Sequence, residues 1–425
     1  MSGGLAGCGS PLAAGVAGTP LDPGSVTFWN LFGGGDGARL QTMLDEYRTQ
    51  HGGASSLTAA TFAWGNPYYT KVVLATLGNK PPDVAVAHAT RATILAQADL
   101  LEPITEDLLG LVGLSSSSFT ESVWNAGKVG DSYYTVPLDT HPFVMYFNSD
   151  VCQKAGLLAG DGKLNSIQGT EAFEAALTAI KGVTGATPLA VASVGDTAGQ
   201  WRLFQTLYWQ QDGATPFLGD DGATLTVNED LAITTMEYTS SLVKKGLLTP
   251  TEDYAGAQTL MFTGKAGFYM QGEWEITTAQ AVEGLKFGMV PVPQLFDKPA
   301  AQADSHTFIL PRMDRTDAQK KLAMGFIKSM LDQSLTWAKG GHIPAFKETL
   351  DSAEYKALEP QADYASAAEI ANYDPPGWYS GSGSNFENIV GAQLGLVQQQ
   401  LASPQDALAA MKSQLQTYLD TPSPV

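Results

Sequence analysis

The chain has 425 residues, 44% of them apolar, with 24 Lys and Arg against 43 Asp and Glu and a formal net charge of −19. That length exceeds one compact core and predicts two units. The acidity, with no basic run longer than two residues, argues against nucleic acid and anionic membrane surfaces as partners, and no stretch approaches the ~18 consecutive apolar residues of a membrane span.

In chain order, "VTFWNLF" (26–32) predicts a strand and "GGGDG" (33–37) breaks it. Leu40, Met43, Leu44 and Tyr47 then share one helical face, and Gly52-Gly53 ends that helix. A strand follows at 57–64, and a helix starts at Pro67, a residue suited to a first turn. "PPDVAVAH" (81–88) predicts a third strand, with a helix from Arg91 to Ala98. Strands alternating with helices predict an α/β unit with a largely parallel sheet.

"YYTVPLDTHPFVMYFN" (133–148) is longer than one strand needs, and Pro137 and Pro142 bar a continuous central strand. The segment reads as a passage from one unit to the other. Cys152 follows, on a helix, as a small buried hydrophobe. Phe173, Ala176, Leu177 and Ile180 form one stripe. Leu231, Thr235, Tyr238 and Leu242 form another, opened by Asn228 as a cap. "GKAGFYMQGEWEI" (264–276) predicts a buried strand that turns at Gly272 and delivers Glu273 and Trp274 to a sheet edge. "FGMVPVP" (287–293) is a second candidate passage. Thr316 and Gln319 form a capping box before a core face of Ala323, Phe326, Ile327 and Met330. "GGHIPAF" (340–346) is a third break. The last helix has Ser403 as cap, Pro404 at its first position, and Leu408, Met411, Leu415 and Tyr418 facing inward.

The two cysteines, Cys8 and Cys152, have no Cys or His at metal-binding spacing, so neither a zinc site nor a cofactor is expected. The phosphate-loop, HExxH, Gly-x-Ser-x-Gly and dinucleotide signatures do not occur in the sequence.

"FTGKAGFYMQGEW", "NKPPDVAVAHATR" and "YTVPLDTHPFVMYFN", in this order, resemble the extracellular solute-binding proteins of ABC importers, and among them the maltodextrin-binding-like family 1. The resemblance covers about residues 25–420. "LAGC" at 5–8 resembles a bacterial lipobox with Cys8 as the lipidated residue, followed by a tether rich in Gly, Ala and Pro. That motif and the Ala/Gly-rich composition suggest an actinobacterial source. The basic and apolar signal regions that normally precede a lipobox are missing.

The resemblance implies an α/β, two-lobed periplasmic-binding-protein-like fold of type II, each lobe a mostly parallel sheet flanked by helices, hinged by three crossings. On that reading residues 1–24 are lipobox and tether. Residues 25–139 and 293–340 form lobe 1, and 140–292 and 341–425 form lobe 2. It also implies a non-enzymatic monomer outside the cytoplasm, anchored through Cys8. It would capture a di- or oligosaccharide between its lobes and hand it to permease subunits. A non-sugar polar solute, such as a glycerophosphodiester or an amino sugar, is the alternative; a glycoside hydrolase, with Asp139 and Glu273 as a carboxyl pair, is the remaining rival.

The site residues the resemblance implies are placed as follows. Trp274 stands where the family stacks an indole on a sugar ring, with Glu273 beside it. Asp139 and His141 lie two apart on an extended segment and share a face. His88 and Arg91 occupy the loop after the Pro-Asp-Val strand, where the family's usual aromatic and acid are absent. Asp36 either hydrogen-bonds a sugar or caps its helix. Trp201 falls in "GDTAGQWRLF" (195–204), expected as a loop. Trp378 and Tyr379 lie in "PPGWYSGSGSNF" (375–386), a Gly/Ser-rich loop with little core to join.

Overall fold

A computed structural model describes residues 24–423. The chain divides into two compact units: 24–138, 306–337 and 345–348 form the first, and 139–305, 338–344 and 349–423 the second. It changes unit after Leu138, Ser305, Trp337, Pro344 and Glu348. The second change therefore falls later than the expected 292. The strand Phe287–Pro291 ends in prolines but does not leave: it pairs antiparallel with Asp139–Asn148 inside the second unit. The third break is several short exchanges between 337 and 349. No helix among the described residues is long and apolar enough to cross a membrane.

In the first unit the strands Val26–Asn30, Leu57–Thr61 and Val84–His88 run parallel, joined by the helices Gly34–Gln50 and Asn66–Leu77. His306–Ile309 and Val136–Pro137 complete the sheet in antiparallel sense, in the order 57–61, 26–30, 84–88, 306–309, 136–137. The expected stripe Leu40, Met43, Leu44 and Tyr47 is buried as a set. That helix stops at Gln50, before Gly52 and Gly53, whose φ values of 96° and 90° lie in the region that favours glycine. The capping box of Thr316 and Gln319 forms, and Ala323, Phe326, Ile327 and Met330 are buried behind it.

The second unit is built on Asp139–Asn148, ten residues buried from end to end. Its sheet is mixed, not mostly parallel: Ala301–Asp304, Phe268–Gly272, Phe287–Pro291 and Ile343–Pro344 all run antiparallel to that strand. Helical crossovers generate parallel neighbours; here the central strand is the entering segment itself. It is also continuous through Pro142, against expectation. On one edge the partner changes there, from Ala301–Asp304, which ends its pairing at Pro142, to Phe287–Pro291, which begins at Val144. On the other it changes from Ile343–Pro344 to Phe268–Gly272. A proline is tolerated at such a junction, where no continuous ladder asks for its missing N–H.

Phe173, Ala176, Leu177 and Ile180 are buried as expected. The Asn228-capped helix turns a slightly different face inward: Ala232, Thr235, Met236, Ser240 and Leu242 are buried, whereas Leu231 and Tyr238 are half-buried. Ser403 caps the last helix, with Leu408, Met411 and Leu415 inside and Tyr418 half-buried. Cys152 is buried, and that burial pushes its thiol up to about 12. Cys8 lies outside the described residues.

Candidate functional site

In the second unit, three strand ends bring four ionisable side chains together. Asp139 and His141 share a face at the start of Asp139–Asn148, and the His141 Nδ1 lies 3.1 Å from Asp139 Oδ1. His342, just before Ile343–Pro344, places its Nδ1 3.4 Å from Asp139 Oδ2 and 2.9 Å from Glu273 Oε1. Glu273 is the first residue after Phe268–Gly272. None of the four is more than 4% exposed. Burial pushes the Glu273 carboxyl up to about 7; His342 opposes the rise and Asp139 adds to it. Tyr146 Oη donates to the carbonyls of Gly272 (3.0 Å) and Glu273 (2.9 Å), which fixes this strand end.

Trp274 stands next to that group. Its half-buried indole meets His141 at 6.1 Å, edge to face, and its Nε1 donates to Tyr254 Oη at 3.1 Å. The Arg202 guanidinium lies 4.9 Å from the ring centroid. Gly272 has φ −67°, so no special turn requires a glycine. The requirement is space: a Cβ there would lie 2.0 Å from Trp274 ring carbons.

Behind Arg202 lies a second set of buried carboxylates. Asp374 accepts from the Trp201 indole at 2.8 Å and from Gln302 at 3.2 Å. Asp304 accepts from Ser382 at 2.9 Å, and Glu387 from the Gly383 N–H at 2.6 Å. Burial, then neighbouring carboxylates, raise Asp374 and Glu387, and the charge of Arg202 opposes both shifts. Sequence reasoning missed Arg202, His342, Asp304, Asp374 and Glu387. The available signal for Arg202 was a lone cation inside the apolar run "WRLFQTLYW".

Three expected aromatics are accounted for differently. Trp201 sits on the helix Thr197–Trp209, not on a loop, because Asp196 caps that helix by accepting from the Gly199 N–H. Trp201 is 2% exposed and packs against Phe204, Phe217 and Phe386. Tyr379 is 3% exposed, stacked on Tyr418, and donates to the Gly222 carbonyl at 3.2 Å. The Gly/Ser loop therefore does join a core. Trp378 is half-buried against Tyr379 and Tyr418, its Nε1 donating to the Thr421 carbonyl at 3.2 Å.

In the first unit His88 ends its strand with Nδ1 2.7 Å from Tyr69 Oη. The Arg91 guanidinium lies 4.3 Å from the Tyr69 ring and donates to Asn66 at 3.0 Å. Trp64 lies edge-on to His88 at 6.1 Å and is 46% exposed. It supplies an aromatic that the loop after residue 88 lacks, and sequence reading passed over it in "TFAWGNP". Asp36 is half-buried in the first turn of its helix, beside Arg39; Gly33, not Asp36, is the N-cap.

The model of the bacterial extracellular solute-binding proteins matches residues 42–362. The chain belongs to this family. Membership places this solute-binding protein outside the cytoplasm and among binding proteins. Its α/β fold of two units is that of solved relatives. One is the cyclic α-maltosyl-1,6-maltose binding protein of Arthrobacter globiformis, 20% identical, with a TM-score of 0.71 over 94% of this chain and 99% of that one. A second is the GacH receptor of Streptomyces glaucescens, solved unliganded and with acarbose: 17% identity and a TM-score of 0.76 over 94% and 99%. UgpB of Mycobacterium tuberculosis, solved with glycerophosphocholine, is 19% identical, with a TM-score of 0.74 over 92% and 98%. A comparison with curated proteins gives no match.

Proposed function

We propose that this solute-binding protein captures a di- or oligosaccharide, leaves it unchanged, and delivers it to the permease of an ABC importer. The observation that carries the reading is Trp64, an indole 46% exposed and set beside His88. A sugar ring has apolar C–H faces and a polar rim. An uncovered indole with an imidazole beside it matches both. Trp274 repeats the arrangement in the second unit, with His141 and Arg202 at hand. Asp139, His141 and Glu273 are the polar partners for hydroxyls there, and His88 and Arg91 in the first unit. Asp36 is a further partner. On this reading Trp201, Trp378 and Tyr379 serve packing within the second unit.

The proposal extends to a monomer anchored through a lipid on Cys8. A Cys8→Ser precursor expressed in its host should leave the membrane fraction; retention there would sink the anchor.

A thermal-shift panel of disaccharides to pentasaccharides, with glycerophosphocholine on the same plate, tests the solute class. Ligand at ~100 Kd raises stability by about 2.7 kcal/mol. A shift with intact sugar supports the reading. A shift with glycerophosphocholine alone overturns it, and shortened products would mean hydrolysis.

A further inference from the structure

We propose that the second unit binds one divalent transition-metal ion of the zinc type, held by Asp139, His141 and His342. The donor atoms of Asp139, His141 and His342 all lie within 4.8 Å of one another. The closest approaches are 3.1 Å and 3.4 Å from the two imidazoles to the Asp139 oxygens, and 2.9 Å from His342 to Glu273. Tetrahedral ligands at about 2.0–2.1 Å from an ion stand roughly 3.3 Å apart, so small shifts of these side chains enclose one. Imidazole and carboxylate without thiolate is a donor set suited to zinc and its neighbours.

Burial and support point the same way. Asp139, His342 and Glu273 are 0% exposed and His141 4%. Two carboxylates so placed need positive charge close by, and a divalent ion supplies it while both imidazoles stay neutral. The backbones around the donors are fixed. Tyr146 holds the carbonyls of Gly272 and Glu273. Tyr364 donates to the Gly341 carbonyl. A methyl added at Gly341 would lie 2.3 Å from the Glu273 carbonyl oxygen, so the loop that carries His342 rests on the end of the strand Phe268–Gly272 through that glycine. Such outer support orients metal ligands. No short motif announced the set, because its members come from separate strands. Asp139 and His141 are also the side chains that the solute reading gives to hydroxyls, so the metal titration is run without sugar and its outcome is read apart from that reading.

The test uses tag-free full chain, stripped with a chelator and then titrated with zinc chloride by calorimetry, with metal content measured after desalting. Cobalt(II) in the same site reports tetrahedral geometry by its visible absorption. One zinc per chain is expected. His342→Gln and His141→Gln should each weaken binding by at least about tenfold with unchanged circular dichroism, whereas His51→Gln on the exposed surface of the first unit should not. No zinc retained by the stripped wild type overturns the proposal, since the four groups would then be a hydrogen-bonded cluster only. Zinc bound equally by His141→Gln and His342→Gln overturns it too, by placing the ion elsewhere. Sugar binding is scored separately, so failure of the solute reading leaves this result intact.

Discussion

The six-membered ring of Trp274 occupies the space where a side chain on Gly272 would begin: an added Cβ would stand 2.0 Å from its carbons. The strand end and the indole are thus one unit, and the position of the aromatic depends on the absence of a methyl. Gly272→Ala should displace the indole and weaken solute binding by about tenfold, or 1.4 kcal/mol, measured by calorimetry. Trp274→Ala should weaken it at least as much. If Gly272→Ala binds like wild type, the indole's place does not matter to the solute.

Trp64 offers the matching experiment in the first unit. Nearly half its surface is open, so it contributes little to the core. Trp64→Ala should leave the melting temperature of the free protein almost unchanged and cut affinity by about tenfold. A large loss of melting temperature with native affinity would assign it to packing.

Trp201 predicts the opposite pattern. It is enclosed by Phe204, Phe217 and Phe386 and gives its N–H to Asp374. Trp201→Ala should destabilise by about 3–5 kcal/mol, seen in urea unfolding, and Trp201→Phe by less. Equal stability of Trp201→Ala and wild type would contradict the enclosure.

Glu273 sets a pH dependence. Its carboxyl has an ordinary value of 4.5 and is pushed up to about 7 by burial. Between those values the folded chain keeps a proton that the unfolded chain has released. Stability is therefore fully present below about 4.5 and is lost as pH rises towards about 7, by at most ~1.4 kcal/mol per unit of difference. Asp374 and Glu387 are raised in the same sense. In chelated buffer, urea midpoints should fall between about pH 5 and about pH 8, and fall less in Glu273→Gln. Parallel pH profiles for the two chains would rule Glu273 out as a source.

Cys152 gives a chemical probe. Buried, with its thiol pushed up to about 12, it holds almost no thiolate near neutrality. In a Cys8→Ser chain, a thiol reagent should label nothing until denaturant is added. Labelling of the native protein at the unfolded rate would show that the helix carrying Cys152 opens readily.

What the sequence disclosed follows a physical division. The stripe Leu40, Met43, Leu44 and Tyr47 and the cap at Ser403 were legible because periodicity and capping act over a few residues. Asp139 with His141 was legible because alternation puts residues two apart on one face. His342 joining them was not, since only the completed sheet brings the segments together. Trp201 stands on a helix rather than a loop because Asp196 caps the segment that carries it. The Gly/Ser loop around Trp378 and Tyr379 gives no sign of their packing partner, because Tyr418 lies on the last helix. Gly272 reads as a turn residue in the sequence, yet its reason is the bulk of a neighbour two residues on.

The strand Asp139–Asn148 has a consequence in time. All four of its antiparallel partners, at 268–272, 287–291, 301–304 and 343–344, are made after it. At ~5–20 residues per second, the roughly 200 residues between Asp139 and Pro344 take on the order of 10–40 s to synthesise. Throughout that interval a ten-residue segment meant for complete burial has no sheet to enter.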